Sequence, residues 1–72
     1  MKLKKFDPDK LAFFRKKSGL TYLELSRELK KFGTKISKNS IWGWEMGLHE
    51  PSAKGLNVLS AFFKVHIESF MK

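Results

Sequence analysis

No cysteine occurs among the 72 residues. Disulfide staples and thiolate-bound metals are therefore excluded, and nothing in the chain points to an oxidising compartment. Long apolar runs are missing too. No segment approaches the roughly 20 apolar residues of a membrane span, and the lysines at the start are followed by no apolar stretch of signal-peptide length. A soluble, cytoplasmic protein is expected. Acidic residues are scarce: seven Asp and Glu stand against fifteen Lys and Arg, a net charge of +8. Such an excess points to an anionic partner, nucleic acid being the commonest, with a merely solubilising surface as the plainer alternative.

What is present is a core. Hydrophobic residues make up 42% of the chain, with seven Phe and two Trp, too many for a disordered segment. A single domain this short buries only about 60% of the surface its unfolded chain exposes, so modest stability is expected. The charge is uneven. Residues 1–38 hold twelve Lys and Arg against four Asp and Glu, whereas residues 39–72 hold three of each. The whole positive excess lies in the first half.

The spacing predicts an all-α fold of five short helices, since period-two alternation never persists. Residues 1–6 form a basic arm and 7–72 the helical domain. Asp7-Pro8-Asp9 combines a capping carboxylate, a proline suited to the first helical position and an acid at the positive end of the dipole. That helix carries Leu11 and Phe14 on one face, leaves Phe13 off it, and ends near Ser18 with Gly19 in the left-handed closing conformation. Thr21-Tyr22-Leu23-Glu24 is a capping box for a second helix with Leu25 and Leu29 inward. Ser37 opens a third helix that runs to Met46, with Ile41 and Trp44 inward. Gly43 in its middle costs about 1 kcal/mol against alanine, a cost that a close approach to a neighbour would explain. Ser52 caps a fourth helix carrying Leu56, Leu59 and Phe63. A fifth starts near Ile67. Phe62 is expected to face solvent.

This order of residues resembles the phage-repressor-like helix-turn-helix family, the Cro, lambda-repressor and xenobiotic-response-element type. Leu11, Phe14 and Arg15 are similar to its first-helix pattern. Gly19-Leu20-Thr21 and Glu24-Leu25-Ser26 are similar to the start of its second helix, with Ser26 where alanine is usual. Ile36-Ser37, Ile41, Trp44-Glu45 and Gly47 are similar to its recognition helix. Pro51-Ser52, Leu56, Leu59, Phe63, Val65 and Phe70 match its closing helices. The likeness covers about sixty residues, each match being short and the order of all of them specific. Three features depart from the pattern. The stretch from Lys31 to Lys35 lengthens the turn, Tyr22 replaces a common Gln, and Gly43 replaces a long polar reader.

The resemblance implies a compact five-helix lambda-repressor-like domain, a sequence-specific binder of double-stranded DNA and a transcriptional regulator, a repressor by preference. Residues 38–46 would lie in the major groove. Lys38, Asn39 and Trp42 would contact bases: lysine donates to guanine acceptors and asparagine pairs with adenine. The alternatives are an ordinary exposed first turn for Lys38 and Asn39, and structural packing for Trp42. Thr21, Tyr22, Lys35, Ser37 and Ser40 would contact the DNA backbone, through hydroxyls, charge and the amides of helix starts. Tyr22 could instead be a half-buried surface ring. Arg15 and Glu45 form a pair implied by the same resemblance, setting the angle of the third helix; two independent surface charges are the alternative. Lys2, Lys4 and Lys5 of the arm would touch phosphates or a minor groove, unless the arm is a disordered tail. Gly43 would leave the middle of the reading face without a reader.

No catalytic chemistry is expected. No Ser/His/Asp set or phosphate-cradling loop accompanies the other residues, and His49 and His66 have no Cys or carboxylate completing a metal-ligand spacing. No cofactor, metal, membrane or small-molecule substrate is expected. Homodimerisation through helices four and five would follow from an apolar patch of Phe62, Phe70 and Met71. The rival function is an antitoxin-like or other protein-interaction module, served by exposed Phe13, Phe62 and Trp42, in which DNA binding is secondary. Charge-driven, non-specific or RNA binding is a third.

Overall fold

The structure, a computed structural model, describes residues 5–72. Four α-helices follow in order: α1 (Pro8–Lys17), α2 (Tyr22–Lys30), α3 (Lys38–Glu45) and α4 (Ala53–Phe63). The fifth helix expected from Ile67 is only a single 3-10 turn, Ile67–Phe70. Its leading residue His66 offers no side-chain cap, and four residues cannot build a hydrogen-bonded α-helix of useful length. Among the described residues there is no strand, only an isolated bridge between Phe6 and Met71. No helix is long and apolar enough to cross a membrane.

All four helix starts are capped by the residue type the local sequence supplies. Asp7 accepts the Asp9 amide at 3.0 Å. Thr21 accepts the Glu24 amide at 3.1 Å while Glu24 accepts the Thr21 amide at 2.9 Å, closing the capping box. Ser37 accepts from Ser40 at 3.1 Å and Ser52 from Gly55 at 3.2 Å. Each such cap stabilises by about 0.5–2 kcal/mol. At the other ends, Gly19 closes α1 with a φ of 71°, whereas α4 closes on Lys64, a non-glycine residue held at φ 57°.

Leu11, Leu25, Leu29, Ile41, Leu59 and Phe70 are fully buried at the centre, joined by Ile36, Trp44 and Val58. On α4 the buried residues are Gly55, Val58 and Leu59, with Leu56 and Phe63 half-buried. The chain end expected as an arm is partly in the fold. Phe6 is only 4% exposed. The Asp7 amide donates to the Phe70 carbonyl at 2.7 Å, and the Lys72 amide to the Lys5 carbonyl at 2.8 Å. Burial of a phenylalanine outweighs the freedom of an arm, so the boundary after residue 6 is corrected: Lys5 and Phe6 belong to the domain. Lys2 and Lys4 lie outside the described residues.

Phe62 also departs from expectation. It is half-buried, its ring 4.9 Å from Phe63 and 6.0 Å from Phe32, which reaches it from the turn after α2. Phe70 is fully buried and Met71 half-buried. Of the apolar patch expected across the last two elements, Phe70 is therefore withdrawn into the core while Phe62 and Met71 stay partly exposed. The large apolar side chains that do stand exposed are Phe13, Leu23, Phe32, Trp42, Met46 and Leu48.

Candidate nucleic-acid interface

Helix α3 packs against both α1 and α2, and two polar connections set its position. Arg15, on the inward side of α1, meets Glu45 in the last turn of α3. Its Nε donates to Glu45 Oε2 at 2.6 Å and its Nη2 to Oε1 at 3.0 Å, a forked geometry only arginine can supply. The Arg15 side chain is 10% exposed and that of Glu45 only 2%. The third nitrogen, Nη1, donates to the Leu20 carbonyl at 2.8 Å, and the guanidinium lies 4.2 Å from the centre of the Tyr22 ring. The hydrogen bond with Glu45 holds the arginine above its ordinary pKa despite the opposing effect of burial. One side chain thus ties together α1, the turn after it, the start of α2 and the end of α3.

The second connection was not legible in the sequence. The Ser26 hydroxyl donates to the Ile36 carbonyl at 2.5 Å, across the extended turn. Ile36 is buried, so the segment entering α3 is anchored to α2 by a side chain on one side and a hydroxyl on the other. The segment that follows Lys31–Lys35 is thereby tied back to α2. The only signal was the small hydroxyl side chain of Ser26 one position after inward Leu25.

The candidate residues divide by their surroundings. Lys38, Asn39 and Trp42 are exposed, and Ile41, Gly43, Trp44 and Glu45 are buried. At about 100° per residue, Lys38, Trp42, Met46 and Asn39 fall in that angular order within an arc of about 100°. The exposed face of α3 is therefore centred on Trp42 and Met46, with Lys38 and Asn39 at its margins. Met46 was missed, although its place one turn after Trp42 marks it. Lys35 is exposed just before the helix. Ser37 and Ser40 are joined at 3.1 Å between their hydroxyls, so both hydroxyls are engaged in starting α3. Thr21 is exposed at the start of α2, and Tyr22 is half-buried beneath Arg15. Exposed Lys30 and Arg27 extend the positive charge along α2, while Lys31 pairs with Glu28 at 3.0 Å.

Gly43 falls outside the exposed arc of α3. It lies to the side, buried, and the imidazole of His49 occupies the place where a β-carbon would be. The Leu48 amide donates to the Gly43 carbonyl at 2.9 Å, folding the loop back over this part of the helix. A side chain at this position would have to displace the exposed His49 ring. Among the described residues no group of three or more His, Asp or Glu stands close enough to hold a metal.

Comparison with protein-family models, curated proteins and solved structures returns no match for this chain.

Proposed function

We propose that the chain is a sequence-specific double-stranded DNA-binding regulator, a repressor by its resemblance to the phage-repressor-like family, in which α2 and α3 act as a helix-turn-helix. Helix α3 enters the major groove, Lys38, Asn39 and Trp42 face base edges, and Thr21, Tyr22 and Lys35 lie along the phosphates. The observation that carries this reading is the exposed arc of α3. It holds a lysine, an asparagine and a tryptophan, carries no free acid, and is braced by Arg15 at its end, with Ser26 holding the segment that enters it. The concentration of positive charge in residues 1–38 supports it.

Selection from random duplexes, followed by titration of the enriched duplex at two salt concentrations, tests the reading. An enriched site is expected. Asn39→Ala should cost about 1–3 kcal/mol on that site and relax one base pair. Lys35→Ala should weaken all sequences alike and flatten the salt slope by about one unit. Absence of any preferred duplex overturns the proposal. One set of observations favours a second reading, an interaction module for a protein partner: Phe13, Trp42, Met46 and Leu48 are all exposed and apolar. A partner protein that binds α3 in place of a duplex would carry it.

A further inference from the structure

The exposed face of α3 has an unusual chemistry for a surface that reads bases. Its centre is apolar. Trp42 is 46% and Met46 51% exposed, and they stand one helical turn apart. An indole supplies one N–H donor and no acceptor, and a thioether is only a weak acceptor. The one carboxylate on this helix, Glu45, is buried against Arg15, so no acid is free to accept from the amino group of cytosine. The Ser37 and Ser40 hydroxyls are held together at the helix start. Asn39 alone offers a strong exposed side-chain acceptor.

Within the major groove only one base-edge group is apolar, the C5-methyl of thymine. We propose that this face selects duplexes by thymine methyl groups. Trp42 and Met46 form a strip that receives the methyls of adjoining base pairs, and Asn39 takes an adenine at the edge of the same run. The inference rests on the major-groove reading of α3 and specifies what that helix prefers. Duplex DNA is the occupant to which the strip is assigned because exposed Lys35 and Lys38 stand at its leading end without an opposing free acid on the helix. Spacing agrees. Four residues advance an α-helix by about 6 Å, and successive base pairs lie about 3.4 Å apart, so the two side chains span about two steps.

The test uses the duplex enriched from the random pool, with each thymidine replaced singly by 2′-deoxyuridine, which removes only the methyl. One or two positions should lose about fourfold in affinity, the effect of burying one methyl group. In Trp42→Ala or Met46→Ala the uridine effect should vanish at the matching position and persist at the other. Both side chains are exposed, so each variant should retain the wild-type helical spectrum, which is recorded alongside. If uridine at every position leaves wild-type affinity within about twofold, the inference is overturned while the major-groove reading stands. Persistence of the full uridine pattern in both variants overturns it equally. If no duplex is enriched, or a protein partner occupies α3 instead, the major-groove reading falls first and this inference with it.

Discussion

Truncating Arg15 or Glu45 is the most direct test of how α3 is held. Glu45 is 2% exposed at its side chain and Arg15 is 10%, so either deletion leaves a charge in a site that water hardly reaches. Breaking a buried pair in this way costs about 3–5 kcal/mol. A chain of 72 residues has a total stability of about 4–11 kcal/mol at the usual 0.05–0.15 kcal/mol per residue, so the loss consumes much or all of it. Arg15→Ala is the harsher change, since it also frees the Leu20 carbonyl and uncovers the Tyr22 ring. In a domain of this size each kcal/mol moves Tm by about 4–8 °C, so a drop of at least about 12 °C is expected in thermal melts followed by circular dichroism. Replacing both residues together, Arg15→Met with Glu45→Leu, removes both charges and fills the space. It should lose far less than the sum of the single changes. Two single variants melting within about 1 kcal/mol of wild type would refute the reasoning, because the pair would then behave as surface charges do.

Other expectations follow from the same contacts. Ser26→Ala should cost about 1 kcal/mol, the net worth of a partly buried hydrogen bond, by loosening the segment that enters α3; unchanged stability in urea titration would show that the Ile36 contact is incidental. Lys64→Gly should stabilise by about 0.5–1 kcal/mol, because the φ of 57° strains a side-chain-bearing residue and suits glycine; Lys64→Ala, the control, should bring no gain in Tm. The Thr21 amide, and then its hydroxyl, hold the Glu24 carboxyl below its ordinary value of 4.5. A lowered folded-state pKa means that this contribution is complete above about pH 4.5 and is lost as pH falls through the lowered value. The stability difference between wild type and Glu24→Gln should therefore shrink on acidification below pH 4.5, and a difference that stays constant with pH would contradict the capping box.

Local chemistry was well written in the sequence. Asp7, Thr21, Ser37 and Ser52 each announce a helix, because a cap is decided within four residues of chain and needs no tertiary partner. The exposed place of Lys38, Asn39 and Trp42 followed from helical spacing once Ile41 and Trp44 were turned inward. The pairing of Arg15 with Glu45, thirty residues apart, was implied by resemblance and not by spacing. The expected fifth helix failed because Val65, Ile67 and Phe70 have the apolar character of a helix but not its length or cap, so packing of Phe70 settled for a single 3-10 turn.

By itself, then, the sequence determined the all-α class, the starts of the four helices, the outward side of α3 and the bias of positive charge towards residues 1–38. Only the tertiary structure decided which distant groups meet. It drew Phe6 into the core beside the chain's last residues, covered Phe62 with Phe32, laid His49 over Gly43 and joined Ser26 to Ile36. Gly43 hinted at a close approach, but no local signature names the partner in any of these contacts. Each exists because burying the apolar faces of several helices at once fixes their relative positions, and loops and side chains must then satisfy whatever polar groups and spaces that packing leaves.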